Sequence, residues 1–177
     1  PDIMQLGKGI TSGYLPLSAC VIGDRVADAV CAAGEEWAHG FTYSGHPACC
    51  AVALETIHVL ERDRLIARVH DAGAPYFQQG LRAFADHPLV GDVRAVGLLG
   101  GLELVRDKDT AEPWPAGSGI GDYCSAQALQ RGLALRANGD TMSLMPPLVI
   151  TRAELDDVFM MVREALDATL AHFGCAA

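Results

Sequence analysis

Two short runs, Leu133-Ala134-Leu135-Arg136 and Thr141-Met142-Ser143-Leu144-Met145, flank the dipeptide Asn138-Gly139. Asn-Gly between such runs is the strongest short-range signal for a β-hairpin, because both residues tolerate the positive φ of a tight turn. The segment therefore commits the chain to an antiparallel strand pair. Pro146-Pro147 ends the second strand, since proline cannot donate to a ladder. A hairpin alone is marginal in water and needs a layer packed against it. Thr151, with Glu154 three residues on, reads as a capping box opening a helix. Leu155, Val158, Phe159, Val162, Leu166 and Leu170 then recur at three- and four-residue spacing and give that helix an apolar face.

The rest of the chain has the same mixed character. Leu17 to Ile22 is a short apolar run after Pro16 and reads as a buried strand. Asp24 is placed to cap a helix over 25–33. Phe41 to Gly45 is a hydroxyl-rich loop, and Pro47 fits the first turn of a helix reaching about Glu61. A second helix is expected over 64–85, interrupted near Gly73-Ala74-Pro75. Two strands fall between Asp92 and Val105, a glycine- and proline-rich loop covers 110–121, and a helix covers 121–131. The fold expected is α/β, with helices and one strand in front and a small sheet packed by helices behind. The break between the two parts is expected near 58–63.

Composition narrows the function. A chain of 177 residues suggests about one to one-and-a-half domains. It is 50% hydrophobic and 20% charged, which is enough apolar material for a core and too much for a disordered segment. The net charge of -9 argues against a nucleic-acid partner, which needs a basic stripe. No apolar run approaches the length of a membrane-spanning helix. The six cysteines include no C-x-x-C pair, and Cys49 and Cys50 are adjacent, so buried thiols in a reducing cytoplasm are expected. His39, His46, His58 and His70 lack metal-ligand spacing, and Glu35-Glu36 reads as a solvated acidic step. Gly97, Gly100 and Gly101 lack the following helix of a dinucleotide loop.

Three local signals carry chemistry. Of the 13 basic residues only two are lysines. Lys108 lies in the charge-rich Arg106-Asp107-Lys108-Asp109, whereas Lys8 has no other charge between Asp2 and Asp24. Gly7-Lys8-Gly9 is no P-loop, because Asp2 and Gly9 stand where that motif needs Gly and Ser or Thr. A poorly hydrated lysine has a lowered pKa and can attack an aldehyde as the neutral amine. A lysine snorkelling at a loop edge is the other reading. The second signal is Phe41-Thr42-Tyr43-Ser44-Gly45-His46-Pro47, whose hydroxyls either cap the next helix or complete an anion site at its N-terminus. The third is Arg136, placed before a tight turn, which either grips a carboxylate through two parallel hydrogen bonds or sits on an edge strand in water.

In their order and wording these segments resemble one family. Pro1-Asp2-Ile3-Met4 through Gly7-Lys8-Gly9-Ile10-Thr11-Ser12-Gly13-Tyr14-Leu15-Pro16-Leu17 is similar to the cofactor-lysine segment of class III aminotransferases, pyridoxal-phosphate enzymes of fold type I. His39 to Pro47 resembles their phosphate loop. Leu135-Arg136-Ala137-Asn138-Gly139-Asp140 with Pro146-Pro147-Leu148 resembles their substrate-arginine segment, and the ω-transaminases match best. The resemblance implies that residues 1–60 are the C-terminal part of the cofactor-binding large domain, and that 61–177 are a small α+β domain with an antiparallel sheet. It implies pyridoxal 5'-phosphate as cofactor and Lys8 as the residue that carries its Schiff base and then shuttles a proton at the substrate α-carbon. Thr42, helped by the Phe41 backbone, would bind the phosphate of the cofactor in the neighbouring subunit of a homodimer. Arg136 would hold a substrate carboxylate and swing aside for a plain amine.

The reaction implied is transfer of an amino group from an amine or ω-amino acid to pyruvate or a similar keto acid. Family members exceed this length, and the acid, aromatic and glycine-rich turn that complete the cofactor site precede the lysine segment in them. Pro1 therefore reads as a cut point and the isolated chain is expected to have little activity. Alternatives are another class III activity (ornithine or 4-aminobutyrate transamination, an aminomutase, a dialkylglycine decarboxylase) or a non-catalytic dimerisation or binding module.

Overall fold

The computed structural model describes residues 1–34 and 38–174. The expected acidic step at Glu35-Glu36 and the sixth cysteine, Cys175, lie outside the described residues. Contacts divide the chain into two units, Pro1–Arg64 and Leu65–Ala177.

In the first unit, β1 (Ile3–Leu6) leads into a 3-10 turn at Lys8–Thr11, followed by β2 (Ala19–Ile22), α1 (Asp24–Ala32) and α2 (Pro47–Arg62). β1 and β2 pair antiparallel, with Ile3 opposite Ile22 and Leu6 opposite Ala19. The apolar run read as a buried strand does form β2, but Cys20 and Val21 are exposed, as are Ile3 and Met4 on β1. An apolar run fixes which residues favour burial; it does not supply the layer that buries them, and a two-stranded ribbon has little of its own. Among the described residues of this unit only Thr11, Cys49 and Ala53 are buried. Asp24 does not cap α1. Gly23 takes the N-cap position without a side-chain bond, and Asp24 lies in the first turn, where its charge favours the helix dipole. Pro47 occupies the first turn of α2, where a missing N–H costs nothing.

The second unit opens with a helical rod: α3 (Leu65–Arg68), a π-helical turn at Val69–Gly73, α4 (Ala74–Arg82) and a 3-10 turn at Ala83–Asp86. The interruption expected near Gly73-Ala74-Pro75 is this π turn. Pro75 has no N–H for the α-helical ladder, and the preceding turn widens instead of breaking. There follow β3 (Val90–Val96), β4 (Leu99–Asp107), β5 (Glu112–Pro113), α5 (Ile120–Gln130), β6 (Arg136–Asn138), β7 (Thr141–Leu144) and α6 (Arg152–Phe173). The strands form an antiparallel sheet in the order β3-β4-β7-β6, with β5 pairing to β4.

Strand alternation sets the two faces of that sheet. Leu102, Leu104, Met142 and Leu144 point to the helices and pack with Phe77 and Leu81 of α4, Ile120 and Cys124 of α5, and Leu155, Val162 and Leu166 of α6. The opposite rows carry Arg94, Glu103, Ser143, Arg136 and Asn138. α4 lies so close that a Cβ on Gly100 would run into Leu81 and Phe77. The capping box of α6 is complete: the Glu154 amide donates to Thr151 Oγ1 at 3.2 Å and the Thr151 amide donates to Glu154 Oε2 at 2.7 Å.

The hairpin forms, with a register one residue removed from the expected one. Asn138 pairs with Thr141, so the two-residue loop is Gly139-Asp140, not Asn138-Gly139. Gly139 alone takes a positive φ there, 58°, the Gly-first pattern of a primed hairpin turn. Leu133 to Leu135 lie before the strand, and Arg136 starts β6. Among the described residues no helix is long and apolar enough to cross a membrane.

Candidate active site

Lys8 stands at the head of the 3-10 turn that follows β1. Gly7 before it is extended, and Lys8 itself sits at φ 47°, a left-handed conformation uncommon outside glycine. Ser12 closes the turn at φ 53°. The buried Thr11 braces it, its hydroxyl donating to the Leu15 carbonyl at 2.5 Å. A strained backbone held by its surroundings is a recurrent property of functional positions, because it aims a side chain that would otherwise relax.

The two lysines differ in their partners. Lys108 Nζ donates to the carbonyls of Ala85 and His87. Lys8 Nζ has no hydrogen-bond or ion-pair partner among the described residues. Lys8 is also exposed, which departs from the poor hydration expected of it. The apolar residues beside it in sequence lie on an open ribbon, so they do not enclose the amine.

In the hydroxyl loop, Ser44 Oγ accepts from the Phe41 amide at 3.0 Å, and the Ser44 amide donates to the Phe41 carbonyl at 2.9 Å. Ser44 therefore closes the turn on itself, and α2 starts after His46 with no side-chain cap. The Phe41 amide is taken by this turn, whereas the Thr42 hydroxyl has no partner among the described residues. Leu6, two residues before Lys8, and Phe41, next to Thr42, line one open hollow of about 420 Å³ together with Gln5, Cys20, His39 and Ser44. The cofactor-site residues proposed from sequence thus share the first unit.

Arg136 belongs to the second unit. It is the first residue of the edge strand β6, is exposed, and has no side-chain partner among the described residues. Ser143 faces it across the ladder and accepts from Asn138 Nδ2 at 2.9 Å. At the hairpin tip, burial raises the Asp140 carboxyl above its ordinary range and the nearby Glu103 adds to the effect. Sequence reasoning missed the contacts of Gly121 with Ala137 and Gly139 and of Ser125 with Leu135, because nothing local marks a helix residue as the neighbour of a hairpin formed later in the chain. Among the described residues no group of three or more His, Cys, Asp or Glu is arranged to hold a metal ion.

An unengaged, strained lysine beside a hydroxyl loop and a helix N-terminus is an arrangement suited to a carbonyl-bearing anionic cofactor. The family model of aminotransferase class III matches residues 1–166. A putrescine–pyruvate aminotransferase of Pseudomonas aeruginosa is 44% identical over 171 residues, which is 97% of this chain and 37% of that protein. A probable mitochondrial gamma-aminobutyrate transaminase 3 of rice, Oryza sativa subsp. indica, is 37% identical over 96% of this chain and 34% of its own length. The structure of the omega transaminase from Pseudomonas jessenii in complex with PMP superposes with a TM-score of 0.90 at 36% identity, covering 100% of this chain and 40% of that one. The chain belongs to the class III aminotransferases, enzymes of fold type I that depend on pyridoxal 5'-phosphate. It spans 37% and 34% of the two relatives' lengths.

The residues present fit that cofactor. Among the described residues Lys8 offers an amine without protein partners, and Thr42 offers an unpaired hydroxyl before a helix that lacks a side-chain cap.

Proposed function

We propose that the protein transfers an amino group from an amine or ω-amino acid to pyruvate or a similar keto acid. The first unit is then the C-terminal part of the cofactor-binding domain, and the second is the small domain. The observation that carries the reading is the contrast between the lysines: Lys108 is tied to two backbone carbonyls, and Lys8 is strained, glycine-flanked and, among the described residues, unengaged.

When bound, pyridoxal phosphate supplies an aldehyde that takes up the amino group and a ring that draws electrons from the substrate α-carbon. The chain's own residues do the rest. Lys8 Nζ would hold the cofactor through its amine and, when released, would move the proton at the substrate α-carbon. The left-handed backbone of Lys8 sets the line along which that amine reaches. Thr42 would hold, through its hydroxyl, the phosphate of the cofactor in the neighbouring subunit of a homodimer. Arg136 grips the carboxylate of the keto acid through its two-pronged guanidinium and swings aside for a plain amine. A buried arginine without a counter-charge is costly, so an arginine on an exposed edge strand, free to turn out, serves both substrates.

Within the same family, 4-aminobutyrate as donor is a second reading, favoured by the rice relative. Incubation with pyridoxal phosphate, borohydride reduction and peptide mapping tests the carrying observation. Label is expected on Lys8; label on Lys108 instead, or on neither, refutes the reading. Alanine formed from pyruvate by the holoenzyme, with putrescine and 4-aminobutyrate offered in turn, ranks the two donors.

A further inference from the structure

Three residues make up β6, and it lies at the sheet edge with a ladder on one side only. So short an edge strand has few backbone bonds to hold it in place. Helix α5 packs against it. Ser125 Oγ donates to the carbonyl of Leu135, the residue immediately before Arg136. Gly121 lies one turn earlier on the same helix face and meets the strand just beyond Arg136. A Cβ on Gly121 would stand 3.2 Å from the Ala137 Cβ and would overlap the Gly139 carbonyl oxygen. The backbone is thus fixed on both sides of Arg136, while the Arg136 side chain is exposed and unpartnered among the described residues. The helix that does the gripping is itself firmly seated, with Ile120, Cys124 and Ala128 fully buried in the core.

We propose that Gly121 and Ser125 are positioning residues for Arg136. They hold the strand backbone in place so that only the guanidinium moves as substrates with and without a carboxylate alternate. The inference rests on the reading of Arg136 as the carboxylate grip. Two parallel hydrogen bonds to a carboxylate require the fork to be placed within a fraction of an ångström, and a drifting strand would lose them. Ala in place of Gly121 pushes the hairpin turn outward, and loss of the Ser125 hydroxyl frees the Leu135 peptide.

The test uses Ser125→Ala in the holoenzyme, since alanine keeps the helix. The KM for pyruvate is expected to rise about three- to tenfold, the scale of one hydrogen bond, while kcat and the half-reaction with a carboxylate-free amine stay within about twofold. Amide hydrogen exchange at Arg136 and Asn138, whose amides face the ladder to β7, is expected to quicken. Gly121→Ala gives the same split with a larger rise. In an Arg136→Ala background, Ser125→Ala leaves the pyruvate KM unchanged, because the side chain it places is gone. An equal rise in both backgrounds, or no change in KM and exchange in the single variant, overturns the proposal. An Arg136→Ala enzyme whose pyruvate KM is unaltered overturns the reading of Arg136 beneath it, and that result is seen independently of Ser125.

Discussion

Replacing His87 with asparagine should flatten the acid side of the protein's stability profile. His87 is 2% exposed. Its Nδ1 lies 3.2 Å from the Leu89 amide and accepts from it, which leaves the ring proton on Nε2, 3.2 Å from Asp167 Oδ1. Lys108 donates to the His87 carbonyl at 3.2 Å. Burial is the largest influence and pulls the imidazole below its ordinary pKa; Asp167 and Asp86 oppose it, and Arg163 reinforces it. The folded protein therefore favours the neutral ring. As pH falls through the ordinary imidazole value of about 6.5, the unfolded chain takes up a proton that the folded one resists, and stability drops. One fully differential proton bounds that loss at about 1.4 kcal/mol between pH 7.5 and 5.5. Asparagine keeps an acceptor for the Leu89 amide and has no proton to gain. Urea midpoints of the parent and His87→Asn at both pH values read the difference, and the carboxylates common to both cancel. Equal losses in the two proteins, or a larger loss in the variant, would refute the reasoning.

Four further outcomes follow from packing, capping and the lysine. Thr151→Ala removes the hydroxyl arm of the capping box and should cost about 1 kcal/mol in denaturant unfolding. Leu81→Ala, at a side chain with 0% exposure between α4 and the sheet, should cost about 2–5 kcal/mol by the same measurement. Gly100→Ala should destabilise by about 1–3 kcal/mol, because the new methyl meets Leu81 and Phe77, and pairing it with Leu81→Ala should recover part of that loss. Lys8→Ala should abolish borohydride-trapped pyridoxal phosphate with a change in stability within about 0.5 kcal/mol, since the side chain is exposed and has no partner among the described residues.

The parts of the fold that were legible beforehand are those whose cause is local. Thr151 and Glu154 lie three residues apart on one chain and need no distant partner to form the capping box. Pro47 and Pro75 act through their own missing N–H groups, so the start of α2 and an interruption before α4 could be read directly, though not that the interruption is a π turn. The hairpin was legible in existence and misplaced by one residue. Asn138-Gly139 permits a turn, but the ladder decided that Asn138 should pair with Thr141, which keeps Met142 and Leu144 on the core face. The candidate site divides in the same way. Lys8, Thr42 and Arg136 stood out by residue type and wording, whereas the engagement of the Phe41 amide by Ser44 depended on how the loop closes.

Sequence alone determined the start of α2 at Pro47 and of α6 at its Thr151 capping box, the antiparallel hairpin, the apolar face of α6, and the scarcity of lysine that singles out Lys8. These are properties of neighbours along the chain, and their energies are settled within a few residues. Tertiary structure alone decided that, among the described residues, Lys108 is engaged and Lys8 is not, that β2 is open, and that His87 is buried beside Asp167. It also placed Gly121 and Ser125 against the strand that carries Arg136. Each of these depends on which surfaces meet in space, and a chain folded back on itself sets those meetings by packing the whole core rather than by any one segment.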